Sequence, residues 1–271
     1  MIIKLILIAI WPAVLLLFYV NHRDKYDKEP KWLLILSVLA GAFSVLPIIF
    51  IERLLFLPAS WMVGYAHAGW NAFVVAAFTE ELFKFLFVLI LIWRSKHFNE
   101  QFDGIVYAVY VSMGFAMVEN VMYVLGGGMS TALARAFTAV PAHAIFAVSM
   151  GYFLGRAKFN EKRRATFLLA AIGMPILLHG LYDFILMSEM PMFLLFFLVY
   201  MFVLYRYGLR SMRVLSDDSR FNPKGTRYYR NTDNPIKVEK PPINNSPSSD
   251  RSETPPTKPE SEQTQQRGFD V

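Results

Sequence analysis

Residues 78–85 read FTEELFKF, placing Glu80, Glu81 and Lys84 inside a segment, 70–93, that is otherwise almost wholly apolar. Either glutamate can reach Lys84 along one helix face, because residues three and four apart are neighbours there. Further along, Glu119, Asn120, Arg135, His143, His179 and Asp183 also fall within apolar runs. His179 and Asp183 are four apart, so the aspartate can orient the imidazole. A charged side chain at mid-helix in a bilayer costs about 2.5–3.5 kcal/mol on insertion scales. Two adjacent glutamates and two histidines could activate water: one glutamate as general base, with Glu119, His143 and His179 either holding a metal that lowers the water's pKa or stabilising an oxyanion without one. Either route hydrolyses an amide.

The chain has no cysteine, so any metal must be held by His, Asp, Glu or Asn, which suits Zn²⁺ or a harder divalent ion. There is no HExxH, no GxSxG and no glycine-rich phosphate loop, which leaves soluble zincin, serine-hydrolase and nucleotide-dependent schemes without support. Plainer roles compete for each group. Glu–Lys pairs can lock helices together, His143 can be hydrogen-bonded packing, and Arg135, near a helix end, can snorkel or pair. Gly151 and Gly155 read as a small-xxx-small packing face. Two other functions use the same residue types: a proton-coupled transporter, and a non-catalytic scaffold or immunity protein whose polar layer binds a partner helix. Against transport, the sequence shows no inverted repeat and no paired broken helices.

These residues need helices to position them. The chain is 55% hydrophobic with mean hydropathy +0.37 over 271 residues, as expected of a polytopic membrane protein. Apolar runs predict an all-α membrane bundle of about seven spans, at 2–20, 32–51, 70–93, 104–125, 131–155, 165–187 and 190–210. The stretch 54–69, broken by Pro58 and Gly64, reads as an outer loop with interfacial Trp61 and Tyr65. Lysine and arginine crowd alternate loops: Arg23, Lys25, Lys28 and Lys31; Arg94 and Lys96; and five between Arg156 and Arg164. That pattern puts the N-terminus outside and the C-terminus in the cytoplasm, with Lys4 against it. The net charge of +6 follows from these loops and does not indicate nucleic acid.

Counting about 1.5 Å per residue from the outer end of each helix, Glu80 lies about 15 Å down, Glu119 about 9 Å, His143 about 18 Å and His179 about 12 Å. Four helices thus contribute to one polar layer in the outer half of the bilayer. The first helix resembles a signal peptide, but LLLFYVNHRDK offers no small-residue cleavage site, so it is expected to be retained. Residues 1–210 form the membrane domain. Residues 211–271, rich in Pro, Ser, Lys and Glu, read as a disordered cytoplasmic tail.

Five stretches carry a family resemblance: YDKEP (26–30), EELFK (80–84), FDGIVYAVYVSMGFAMVEN (102–120), and the histidine motifs PAHAIFAVSMGYFLG (141–155) and HGLYDF (179–184). Together they resemble the PrsW intramembrane proteases, relatives of the CAAX prenyl protease and bacteriocin-immunity group, over roughly residues 10–205. PAHA has alanine where the family pattern leads one to expect glycine. The resemblance implies a multi-pass protease of a bacterial inner membrane that makes a first cut in a membrane-anchored substrate, such as an anti-sigma factor. It implies catalytic roles for Glu80, Glu81 and His179, with Lys84, Glu119, Asn120, His143 and Asp183 supporting them. Lys84 is expected to pair with one glutamate and leave the other free to take a proton. Both a Zn²⁺-type and a metal-free glutamate mechanism are compatible with it.

Overall fold

In the computed structural model, which describes residues 2–188 and 191–222, every regular element among those residues is helical. Helix α1 spans Ile2–Arg23 and α2 spans Lys31–Ala59. Helix α3 (Gly64–Trp70), a π-helical stretch (Asn71–Phe78) and α4 (Thr79–Ile92) run end to end without leaving helical backbone angles. Then come α5 (Gln101–Phe137), α6 (Ala139–Phe159), a 3₁₀ turn (Glu161–Arg163), α7 (Arg164–Met187) and α8 (Pro191–Asp217). Five helical stretches, Ile2–Arg23, Lys31–Ala59, Gln101–Phe159, Glu161–Met187 and Leu195–Asp217, are long and apolar enough to cross a membrane.

The stretch 54–69 departs from its expected loop. Helix α2 continues to Ala59, and Gly64–Trp70 is already helical, so only residues 60–63 lie outside a helix. Pro58 sits in the last turn of α2, where it ends the helix instead of excluding it. The spans expected at 104–125 and 131–155 also join differently. The backbone turns at Gly128, whose φ of +71° is open to glycine at little steric cost. Residues 129–137 then pack back along the end of α5, with Arg135 returning to Glu119, before a second, smaller break at Thr138 (φ −117°). Helix α8 runs seven residues past the expected boundary at 210; residues 223–271, the bulk of the expected tail, lie outside the described residues.

Helix α5 is the centre of the assembly. Every residue from Phe102 to Ala116 is buried. Its first turn is set by a reciprocal cap, in which Glu100 receives an amide of the turn and Asp103 Oδ2 accepts the Glu100 amide at 2.7 Å. Helices press onto it at glycines. A Cβ on Gly104 would lie 2.5 Å from the Gly151 carbonyl oxygen, and one on Gly155 would lie 2.2 Å from that of Gln101. The expected packing face at Gly151 and Gly155 is therefore the α5–α6 seam. On the other side, a Cβ on Gly41 of α2 would lie 1.8 Å from the Val111 carbonyl oxygen, and one on Gly114 of α5 would lie 2.0 Å from that of Val38. In lipid no hydrophobic drive holds helices together, so such close backbone contact supplies the dispersion energy. Large apolar side chains point outward instead, among them Trp11, Phe43, Ile90 and Leu169.

Candidate active site

The π-helical stretch precedes Glu80 directly. A wider turn there shifts the angular phase of everything after it, and such insertions recur at functional sites. Here Thr79, Glu80, Glu81 and Lys84 all point inward and are buried. Helix α7 lies against the π-helical stretch at Gly180, where a Cβ would stand 2.2 Å from the Phe73 ring. That approach brings His179 to Glu81.

At the centre, Lys84 Nζ donates to Glu80 Oε2 at 3.0 Å and to Glu81 Oε1 at 2.8 Å, and lies 3.3 Å from His143 Nδ1. The lysine thus holds both glutamates, where pairing with one was expected. It is 1% exposed and also lies 4.1 Å from the centre of the Phe115 ring. His179 Nδ1 stands 3.0 Å from Glu81 Oε1 and 4.0 Å from Glu80 Oε2. Its other nitrogen meets Asp183 Oδ2 at 3.2 Å, as the four-residue spacing predicts.

His143 is arranged in the same way. Its Nε2 meets Glu119 Oε2 at 3.0 Å, while Nδ1 points to Lys84. Each histidine therefore has a carboxylate at Nε2 and turns Nδ1 towards the glutamates. At His143 the outer carboxylate selects the Nε2–H tautomer and leaves the Nδ1 lone pair to accept from Lys84. His179, between two carboxylates, donates to both as the imidazolium or turns a lone pair inward as the neutral ring. Phe146 stacks on His179 with ring centres 4.9 Å apart, and the Ser112 hydroxyl donates to the His143 carbonyl at 3.0 Å. Both contacts fix ring position.

Glu119, Asn120 and Arg135 form an outer layer. Arg135 donates to Glu119 Oε2 and to Asn120 Oδ1, each at 2.7 Å, so it pairs instead of snorkelling. Asn120 Nδ2 in turn donates to the Ala9 carbonyl of α1 at 2.7 Å. Glu80, Glu119, His143, His179, Asp183 and Arg135 line one cavity of about 550 Å³. Glu81 does not reach it; the carboxylate is fully buried and its Oε2 has no hydrogen-bond partner. Two further polar residues, Glu52 of α2 and Asn71 of the π-helical stretch, also line the cavity. Neither was singled out from the sequence.

Among the described residues, one group has ligand-type atoms all within 4.8 Å of one another: Glu80, Glu81, His143 and His179. Glu119 stands behind His143, outside that group.

The model of a family described as PrsW family intramembrane metalloprotease matches residues 29–207. Among curated proteins, the chain is 36% identical to Protease PrsW of Clostridioides difficile (strain 630), over 80% of this chain and 93% of that protein. It is 40% identical to Protease PrsW of Geobacillus kaustophilus (strain HTA426), over 69% of this chain and 81% of that one. To Protease PrsW of Bacillus subtilis (strain 168) it is 37% identical, over 76% and 92%. No solved structure matches the chain.

Proposed function

Because the chain belongs to the PrsW family of intramembrane metalloproteases, we propose that it cuts a membrane-anchored protein near the outer face of the membrane, with Glu80 as the general base. It is a multi-pass membrane peptidase. The observation that carries the proposal is the division between the two glutamates. Glu80 lines the cavity, whereas Glu81 is sealed behind it and held by Lys84 and His179.

In this reading the rod α3–π–α4 is one pass, the Gly128 hairpin separates two more, and seven passes result. The basic loops then face the cytoplasm, the N-terminus lies outside, and the cavity opens outward. The membrane domain is residues 1–210 with the remainder of α8. A transmembrane substrate hides its amides in its own helix, so a stretch of it must unwind in the cavity before attack. Glu52 and Asn71 offer that stretch further polar partners in the lining. Glu80 takes the proton of a water as its oxygen attacks the scissile carbonyl, then delivers a proton to the departing amine. Lys84 keeps Glu81 ionised, and Glu81 and Asp183 together hold His179. The substrate class in this reading is a single-span membrane-anchored protein, such as an anti-sigma factor.

The family description implies a metal, and the residues fit one. A donor set of one carboxylate and two imidazole nitrogens with an open position suits catalytic Zn²⁺, and each histidine carries the outer carboxylate typical of a ligand. The orphaned Glu81 Oε2 lacks a partner, and the Glu81 Oε1 to His179 Nδ1 contact sets two acceptors together unless a positive charge lies between them. Glu81, His143 and His179 would hold the ion, leaving Glu80 as the base, and the ion would polarise the substrate carbonyl as a Lewis acid.

The test compares new protein termini in cells carrying wild type or Glu80→Gln at matched membrane levels. Cuts near the outer boundary of single-span proteins that appear only with wild type are expected. Identical termini in both would overturn the catalytic assignment and return the polar layer to transport or helix binding.

A further inference from the structure

A second set of buried acids lies far from the cavity. Asp24, Asp27 and Glu29 occupy the connection between α1 and α2, and Glu100 and Asp103 open α5. Asp103 precedes Glu119 by 16 residues of α5, a rise of about 24 Å. Four of the five are buried: Asp24 is 1% exposed, Glu29 7%, Glu100 3% and Asp103 0%. None has a lysine or arginine ion-pair partner among the described residues, whereas Glu80, Glu81 and Glu119 all do. Buried carboxylates without a counter-charge are expensive, so something positive is expected beside them.

The hydrogen bonds leave a specific deficit. Glu29 receives the Tyr107 hydroxyl, Glu100 receives the Ser219 hydroxyl, and Asp27 accepts Asn99 Nδ2 at 2.8 Å. Asp103 Oδ2 accepts the amides of Asn99 and Glu100. Asp103 Oδ1, Asn99 Oδ1 and both oxygens of Asp24 are buried with no partner. The Glu29 amide approaches Asp24 without reaching normal hydrogen-bond geometry. The Asp24 carboxylate faces inward, its charge acting on Glu29, Glu100 and Tyr107. The Glu29 and Asp103 carboxyls are near enough to act on one another. Lys28 is near enough to act on Asp24, but its ammonium is given to the Asn21 carbonyl.

We propose that Asp24, Glu29 and Asp103 form a binding site for a hard divalent cation of the Mg²⁺ type, with water completing its coordination. The donors are all oxygen, with no imidazole and no sulfur, which selects for that class. The three carboxylates do not converge within 4.8 Å as the Glu80 group does, so the ion keeps part of its water shell, as Mg²⁺ commonly does. The site would tie the end of α1 and the start of α2 to the start of α5. Through Glu100 and Ser219, the chain just after α8 joins the same cluster.

The experiment uses the purified full-length chain in detergent, with thermal unfolding followed in EDTA and across a Mg²⁺ titration. Tb³⁺ luminescence, sensitised by Tyr107, gives a direct binding signal that Mg²⁺ should displace. Expected is a Mg²⁺-dependent rise of several degrees, retained in a His143→Ala, His179→Ala double variant that has lost the other candidate metal group. Asp24→Asn and Glu29→Gln should each weaken the apparent Mg²⁺ affinity at least tenfold. Asp103→Asn also touches the α5 cap, so the two other variants decide the matter if it fails to fold. An unchanged Mg²⁺ response in both, or loss of the response with the two histidines, would overturn the proposal. So would a wild-type stability that varies with pH and is the same in Mg²⁺ and EDTA, because the carboxyls would then be sharing protons.

Discussion

Glu81 and His179 are 98 residues apart in sequence and meet at 3.0 Å, carboxylate to Nδ1, with both side chains buried. The contact joins the EELFK and HGLYDF motifs. It also separates two roles that adjacent glutamates would otherwise share, since Glu81 is held in place while Glu80 faces the cavity.

Glu80→Gln should lower turnover by about 10²–10⁴-fold, the usual contribution of a general base, with little change in melting temperature. Glu81→Gln should lose activity as well but also lower the melting temperature, because Lys84 and His179 both lose a buried partner. Cleavage in proteoliposomes of a substrate found by terminal mapping, beside thermal unfolding of each variant, separates the two. Equal melting curves with equal loss of activity would remove the division of roles.

Lys84→Met should destabilise the fold by about 3–5 kcal/mol, because it leaves two buried carboxylates without their cation. Adding Glu80→Gln and Glu81→Gln to the same chain should recover much of that loss. Thermal unfolding of the single and triple variants measures it, and a triple variant no more stable than Lys84→Met would count against the pairing.

Gly180→Ala should cost about 1–3 kcal/mol through overpacking against Phe73. It should reduce activity further than its stability loss explains, since it shifts His179 on α7. Phe73→Leu in the same chain should restore part of both. Activity and melting temperature of the single and paired variants give the answer.

Arg135→Gln should loosen residues 129–137, because Arg135 alone carries the side-chain bonds from that segment to Glu119 and Asn120. Faster amide hydrogen exchange over 126–138, with exchange in 102–116 unchanged, is the expected result. Turnover should fall less than in Glu80→Gln, since Glu119 keeps its contact with His143.

Much of this site was legible as spacing. The i, i+4 pairs Glu80–Lys84 and His179–Asp183 are both formed, and the depth count placed Glu119, His143 and His179 in the layer where they meet. What hydropathy did not show is rotation. The π-helical stretch is apolar on all sides, so nothing in NAFVVAAF marks the extra residue per turn that sets the phase of Glu80. For Arg135 the sequence left snorkelling and pairing open for a related reason. A span drawn from 131 makes it an end-of-helix charge, whereas the turn at Gly128 folds it back onto Glu119. Lys84 reaching three groups, and Glu52 and Asn71 lining the cavity, depend on neighbours that only the assembled bundle supplies.

The glycine seams carry a mechanical consequence. Where α2, α5 and α6 touch through backbone, there is no side chain to change rotamer and nothing to slide. These three helices form a stiff post. The other wall, where the π-helical stretch and α7 meet across Phe73 and Gly180, is closed by a side chain that can turn. Any shift at that seam would also move His179, the neighbour of Gly180 on α7, relative to Glu81.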